Sequence, residues 1–424
     1  MNVRLAIFTT LNAIYKEKEF SNLAVGEALK TNDLSPLDSA FFTNVVYGVL
    51  QNSLLLDHII KSYAPKHKIT AKMRTILKMS YYQLYFMDKV PEYAITNEAV
   101  EIMKQDSGRG SADFANAVIH SMIKQKYEFK ESNFPDLDTY YAFKYSIPLW
   151  LYKMVVKHYG ANAALKWASL SKVPPISYVR VNTLKSTKAE ILKNKDFSDS
   201  PDFPDCVIYN GKGSAATTQE YLDGKITIQD ISAQQVAPLL DPKPTDSIID
   251  LCAAPGSKTT HLAALLNNEG KIIANDLYPQ RVQLIANSLK RLGIKDVVCT
   301  CDDVLKMKDK YPAAYFDKVL LDAPCTGFGV IRRKPDILLS YTEQTNNLDE
   351  IITLQRFMLD VAYYLVKPNG IIVYSTCTLD KKENETQVGQ FVAKHPDIHL
   401  VSEKLLLPTE TSGDGFYMAK LTKE

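Results

Sequence analysis

Two cysteines in this sequence occupy matching surroundings. Cys325 lies in "DAPCTGFGVIRRKPDI", which begins at Asp322, and Cys377 lies in "VYSTCTLDKKENE", which begins at Val373. Each directly follows what reads as the end of a buried strand, in a chain with only six cysteines, at 206, 252, 299, 301, 325 and 377. A thiol so placed is either a small buried hydrophobe or, as a thiolate, a nucleophile for covalent catalysis. For one cysteine, packing is the ordinary explanation. Two at one rim of a sheet favour chemistry there. Cys299 and Cys301 form a C-x-C pair with no neighbouring His or Cys. That is too few ligands for zinc, so no metal is expected.

The elements that must carry these thiols are legible after residue 240. Short apolar runs read as strands: "SIIDLCAA", "KIIAND", "DVVCTC", "FDKVLLDAP" and "GIIVYST". Between them lie amphipathic stretches, "KTTHLAALLNN", "PQRVQLIANSLKRL" and "TNNLDEIITLQRFMLDVAYYLV", each followed by Gly or Pro. Continuous apolar strands alternating with such helices imply a parallel sheet covered on both faces, a doubly wound α/β domain. Ligands of such sheets lie at the carboxyl ends of the strands.

The first of those ends is "DLCAAPGSKTTHLA". Ala253, Ala254 and Gly256 are small enough for backbone to approach a ligand, and a helix N-terminus follows. It is no P-loop, because Ser257 separates Gly256 from Lys258 and the required earlier glycine is missing; a GxGxxG fingerprint is absent too. The second strand ends in Asp276, placed to accept from ribose hydroxyls. The third ends in Asp302 and Asp303, either of which could face an adenine amino group, and the fourth in Asp322. Any one acid could simply cap a helix. Four successive strands ending in acid suit a molecule with a ribose, an amine and a cationic centre, and S-adenosylmethionine has all three.

The rest of the chain is less explicit. With 424 residues, two or three domains are expected; 46% hydrophobic and 23% charged residues are ordinary for a globular protein, and a net charge of +2 leaves any polyanion-binding surface to local clusters. No apolar run is long enough to span a bilayer and no cleavable leader is evident, so a cytoplasmic protein without membrane partners is expected. Residues 1–130 read as an all-helical domain. Within it Lys61, Lys66, Lys68, Lys72, Arg74 and Lys78 form a run without an acid, read either as a solvated face or as a phosphate-contacting patch. Residues 131–235 read as a linker subdomain of mixed helix and strand, with a helix from Pro148 to Gly160 and a strand at "ISYVRVNTLK". Residues 236–424 form the α/β domain.

These motifs carry a resemblance. "DLCAAPGSKT", "LLDAPCTGFGVIRRKPDI", "VYSTCTLDKKENE" and "GDGFYMAKL" closely resemble the Sun family of RNA cytosine-C5 methyltransferases, and "PPISYVRVNTLK" and "GKITIQDISAQQVAPLL" resemble that family's linker. The helical region resembles the NusB-type RNA-binding fold. The resemblance covers nearly the whole chain. It implies a Rossmann-like, class I methyltransferase domain with a mostly parallel seven-stranded sheet, S-adenosylmethionine as cofactor, and a cytosine of small-subunit ribosomal RNA as target, acted on by a monomer. By matching, Cys377 is the nucleophile, Cys325 resolves the adduct and Asp322 contacts the base, with Lys258 bridging to it. Cys252, Ala253, Ala254, Pro255, Gly256, Ser257 and Lys258 wrap the cofactor, joined by Asp276, Asp302, Asp303 and Asp322. Arg281, Arg332, Arg333 and Lys334 are expected to grip RNA. The chain departs from the family pattern at Ser257, where a third small Gly is common, and at "CDDV", which leaves open whether Asp302 or Asp303 reaches adenine.

Two other functions are compatible with the fold. An RNA-binding assembly factor without catalysis need not keep Lys258, Asp322, Cys325 and Cys377 together. A nicotinamide-dependent dehydrogenase would need the glycine fingerprint and explains neither cysteine.

Overall fold

The computed structural model describes residues 2–17, 21–201, 203–341 and 347–424. The chain forms two compact units, Met1–Pro174 with Ile331–Thr345, and Pro175–Val330 with Asn346–Glu424. The stretch 131–235, read from sequence as one linker subdomain, is thus divided between them at Pro174.

The first unit is helical. Helices α1 (Val3–Glu17), α2 (Ser21–Thr31), α3 (Pro36–Gln51), α4 (Ser53–Tyr63), α5 (Ala71–Tyr85), α6 (Glu92–Ser107) and α7 (Arg109–Lys124) surround a core that includes Ile7, Leu11, Phe42, Leu56, Leu77, Met103 and Ile119. Local signals set several starts: Ser35 accepts from the Asp38 N–H with Pro36 at the first turn of α3, and Thr70 accepts from the Met73 N–H at α5. Gly48, inside α3, is required by packing, since a Cβ there would sit 2.0 Å from the Tyr82 ring.

Helices α8 (Leu137–Lys144), α9 (Leu149–Tyr159) and α10 (Ala161–Leu170) join this unit through aromatic contacts. His58 of α4 packs against Phe134 and Phe143, with ring centroids 5.1 and 4.8 Å apart, and contacts the Tyr127 hydroxyl at 3.0 Å. These aromatics tie 131–170 to the helices before it rather than to the strands after it.

The basic run changes character here. Lys78 is buried, with Nζ 2.8 Å from Asp57 and donating to Ser53 Oγ at 2.7 Å. Arg74 also faces Asp57, at 3.7 Å, and Lys72 pairs with Asp106 at 2.6 Å. Three of the six cations therefore face acids brought in from α4 and α6, but only Lys78 is buried; Lys72 and Arg74 are exposed, as are Lys61, Lys66 and Lys68.

The second unit holds two sheets. Strands β1 (Tyr178–Val181), β2 (Phe197–Asp199), β3 (Cys206–Tyr209) and β4 (Ile226–Ile228) form an antiparallel sheet in the order β2-β3-β1-β4. Strands β5 (Ser247–Asp250), β6 (Lys271–Asn275), β7 (Val297–Thr300), β8 (Phe316–Asp322), β9 (Val366–Thr376), β10 (Ile398–Leu406) and β11 (Phe416–Lys423) form a seven-stranded sheet in the order β10-β11-β9-β8-β5-β6-β7. Pairings from β7 through β9 are parallel, and β11 runs antiparallel to both its neighbours. This is the Rossmann-like architecture expected from the sequence.

Alternation along the central strands feeds two cores. Ile249, Val319, Leu321, Ile372 and Tyr374 pack with Met358, Leu359 and Ala362 of the helix Asn347–Leu365. Ile248, Leu320 and Val373 pack with Leu262 and Ala263 of the helix Ser257–Leu265. With both faces covered, the open crevice lies where strand order reverses, between the carboxyl ends of β5 and β8.

Candidate active site

The crevice begins with the loop after β5. Ala253 donates to the Asn275 carbonyl at 2.8 Å, Ala254–Pro255 is cis, and Gly256 adopts a left-handed φ of 99° before the helix Ser257–Leu265. A Cβ on Gly256 would also press on Ile285 at 3.3 Å, so glycine is required both by conformation and by the close approach of the next helix.

At the end of β6, Asp276 is 3% exposed; it accepts from the Ala254 N–H at 3.2 Å and lies 3.4 Å from Arg281. Arg281, expected to grip RNA, is thereby directed at the crevice acid. Its neighbour Asn275 accepts from the Asp302 N–H at 3.0 Å and donates to the Asp302 carbonyl at 2.9 Å, fixing the turn after β7. The two acids of that turn differ: Asp303 caps the following turn by accepting from the Leu305 N–H at 3.0 Å, whereas the Asp302 carboxylate pairs with Lys310.

The centre of the crevice is an ionic and hydroxyl network. Register places Asp322 of β8 opposite Ser375 of β9, and Ser375 Oγ donates to Asp322 Oδ1 at 2.7 Å. Lys258 Nζ lies 2.6 Å from Asp322 Oδ2 and 5.2 Å from the centre of the Phe416 ring. Burial alone pulls the Lys258 ammonium down, but Asp322 outweighs it and the net shift is upward, so Lys258 stays charged. Beneath it, Asp250 is fully buried, accepts from Thr259 Oγ1 at 2.7 Å on Oδ2, and has Oδ1 without a hydrogen-bond partner. Desolvation, then the nearby charge of Asp322, pushes this carboxyl up to about 7 against the moderating Thr259 bond.

The two cysteines meet. Cys325 Sγ and Cys377 Sγ are 3.3 Å apart, and the Cys377 N–H donates to Cys325 Sγ at 3.3 Å. The hydrogen bond with Cys377, followed by burial, holds the Cys325 thiol well above its usual range, so it is protonated at neutral pH. Burial does the same to Cys252, at the start of the cofactor loop. Cys299 and Cys301 stand at β7, and no metal-binding cluster of His, Cys, Asp and Glu occurs among the described residues.

Arg332, Arg333 and Lys334 belong to the segment Ile331–Thr345, which is part of the helical unit. There Ser21 Oγ donates to Asp336 at 2.5 Å and Leu339 packs on the helical core. Arg332 and Arg333 are half-buried and engaged, and Lys334 is exposed.

Several residues in this site carry no conspicuous sequence signal. Arg180, 1% exposed, crosses from β1 to donate to the Ser257 carbonyl and to Thr260 Oγ1, each at 3.1 Å, and so braces the helix of the cofactor loop. Burial pulls this guanidinium down to about 9. Asp250, Thr259, Ser375, Phe416, Glu383 and Asn384 likewise emerge only in three dimensions. For Glu383 and Asn384 the available hint was two polar residues closing the "STCTLDKKENE" run.

A small-residue loop, the buried Asp276 and the buried Asp250, beside a strand-order reversal in a sheet of this order, give the architecture of a class I methyltransferase. The residues fit S-adenosylmethionine in kind: acids for ribose, amine and sulfonium, and a loop whose backbone can approach closely. Comparison with known proteins gives the particular family. Residues 237–422 match the 16S rRNA methyltransferase RsmB/F family and residues 1–124 the NusB family. A probable ribosomal RNA small subunit methyltransferase B of Bacillus subtilis (strain 168) is 33% identical, covering 100% of this chain and 99% of the relative. A protein of the same description from Synechocystis sp. is 31% identical, covering 100% of both. The crystal structure of PH0851 superposes with a TM-score of 0.86 at 27% identity, covering 100% of this chain and 99% of that chain. The chain belongs to the RsmB/F family of rRNA methyltransferases, and S-adenosylmethionine is its cofactor. Among the described residues no helix is long and apolar enough to cross a membrane.

Proposed function

We propose that the protein methylates C5 of a cytosine in 16S ribosomal RNA, through a transient bond between Cys377 and C6 of the base. The observation that carries this reading is the pair of sulfurs 3.3 Å apart at the rim that also holds the Lys258–Asp322 pair. Cytosine C5 is a poor nucleophile. Addition of the Cys377 thiolate to C6 forms an S–C6 bond and shifts the ring electrons to C5, which can then attack a methyl electrophile. Bound S-adenosylmethionine supplies that methyl on a sulfonium. Loss of the C5 proton and cleavage of the S–C6 bond restore the aromatic ring and return the thiolate.

Each residue has a part in this scheme. Asp322, oriented by Lys258 and Ser375, contacts the N3/N4 edge of the activated ring. Cys325, with its sulfur 3.3 Å from that of Cys377, assists release of the adduct. Cys252–Lys258, Asp276 and Asp302 hold the cofactor, Asp302 standing in the turn that Asn275 fixes. RNA enters with its target base turned out of the stack; of the four cations expected to meet its phosphates, Arg281 faces Asp276 and Lys334 is exposed.

Small-subunit RNA incubated with methyl-labelled cofactor and resolved on a denaturing gel tests the assignment. Cys377→Ala abolishes both label transfer and the protein–RNA band, whereas Cys325→Ala accumulates the band. A persistent adduct in Cys377→Ala reverses the two roles.

A further inference from the structure

Two consecutive buried residues lie behind the sulfurs, and each grips a different cysteine loop. Glu383 is 0% exposed. Its Oε2 accepts from the Thr326 N–H at 3.0 Å and from Gln355 Nε2 at 2.9 Å, and its Oε1 accepts from Thr326 Oγ1 at 2.5 Å. Gln355 Nε2 also donates to the Pro324 carbonyl at 2.9 Å, so the residues on both sides of Cys325 are held. Asn384, also 0% exposed, accepts from Thr376 Oγ1 at 2.5 Å and donates to the Thr378 carbonyl at 3.1 Å, the two neighbours of Cys377.

Further bonds join the halves. Thr326 Oγ1 and Thr378 Oγ1 are 2.6 Å apart, and the Tyr374 hydroxyl donates to the Glu383 carbonyl at 2.7 Å. Gly329 completes the seam: its N–H donates to the Cys377 carbonyl at 2.9 Å, and a Cβ there would meet the Gly415 carbonyl at 2.1 Å. The bonds that Glu383 and Asn384 make here go to the residues flanking the sulfurs, so each acts on the loop that carries one. Buried polar groups so extensively bonded have few alternative arrangements, because displacement would strand donors and acceptors without water.

We propose that Glu383 and Asn384 are paired positioning residues that set the distance between the thiols, Glu383 governing release through Cys325 and Asn384 governing attack through Cys377. The inference rests on the cysteine roles proposed above. Because adjacent residues hold loops from two different strands, a shift of either loop is felt by one sulfur first. The two substitutions should therefore fail at different steps.

Single-turnover reactions on in vitro transcribed small-subunit RNA, scored for both covalent adduct and methylated product, test this in the full-length protein. Glu383→Ala is expected to raise the adduct-to-product ratio about tenfold or more, as Cys325→Ala does, with cofactor affinity by calorimetry within about twofold of the parent. Glu383→Gln restores the ratio, since its amide oxygen can take the place of Oε2 while its NH2 donates to the Thr326 hydroxyl. Asn384→Ala lowers adduct and product together while cofactor affinity stays within about twofold of the parent; a parallel loss of cofactor affinity would make Asn384 a support of the fold and overturn its half of the inference. If Glu383→Ala lowers both in equal proportion, Glu383 merely supports the fold and the inference is overturned. Should Glu383→Ala not fold, Thr326→Val is read the same way: a raised ratio supports the inference and an unchanged one overturns it. An adduct formed by Cys377→Ala would instead overturn the cysteine assignment, and this inference with it.

Discussion

The basic run of the helical unit and the crevice of the methyltransferase unit both concentrate ionic groups, and folding treats them in opposite ways. In the run, Lys72, Arg74 and Lys78 look unopposed along the chain, yet Asp57 and Asp106 reach them from other helices. A cluster that could have served a polyanion is in part internal structure. In the crevice, Asp322 finds Lys258 and Ser375, but those partners orient it at an open rim. Pairing in one place consumes charge; in the other it aims charge. Exposure is similar in the two pairs, 4% and 33% for Lys78 and Asp57 against 10% and 27% for Lys258 and Asp322; what differs is the setting, since Asp322 is bonded to Ser375, two residues from Cys377.

The contrast can be broken experimentally. The largest effect is expected at Lys258. Lys258→Met leaves Asp322 without its cation, and loss of one member of a buried pair, worth about 3 kcal/mol, corresponds to a drop of about a hundredfold in single-turnover methyl transfer. Retention of most activity would deny the pair any role in aiming the acid.

Arg180 is expected to come next. Arg180→Met removes two donors from the start of the cofactor helix and weakens cofactor binding by about tenfold, or about 1.4 kcal/mol, read by calorimetry. RNA affinity should not change. Equal losses of both would mean a general defect.

In the helical unit the corresponding change acts on stability instead. Lys78→Met leaves Asp57 with Arg74 alone, 3.7 Å away, and lowers unfolding free energy by about 1 kcal/mol in a denaturant titration, leaving turnover per folded molecule intact. Replacing exposed Lys66 and Lys68 with Ala should do the reverse, leaving the melt alone and reducing the salt slope of RNA binding.

The crevice also predicts a pH dependence of stability. Asp250 has its carboxyl raised to about 7 in the folded protein against an ordinary 3.8. Between those values the unfolded chain has released this proton while the folded protein still holds it. Stability therefore falls as pH rises through that window and levels off above it. Melts of Asp250→Asn across the same range should show a shallower decline, and an identical one would remove Asp250 as its source.

How much of this was readable beforehand follows from where each signal resides. The parallel strands β5, β6, β8 and β9 were visible because strands covered on both faces are largely apolar, and the edge strand β7 because, although Val298 is exposed, Val297 and Val298 keep it apolar. β10 is not, since an edge strand paired on one side reads as "IHLVSEKLL", mostly exposed and mixed in character. The division at Pro174 was invisible as well, because it depends on aromatics such as His58 and Phe143 meeting across about eighty residues of chain. Similarly, Arg281 and the 332–334 triplet read simply as cations, and only the fold shows Asp276 facing one and the helical unit claiming the others.

The sequence by itself determined which elements form, which strand ends carry acids, and that two thiols follow two such ends. Periodicity and capping are local properties, so they survive without knowledge of partners. Tertiary structure decided that the sulfurs touch, that Ser375 faces Asp322 through strand register, and that Glu383 and Asn384 hold the two loops. Those facts depend on desolvation and on contacts between residues distant along the chain, and both arise only when the strands are laid side by side.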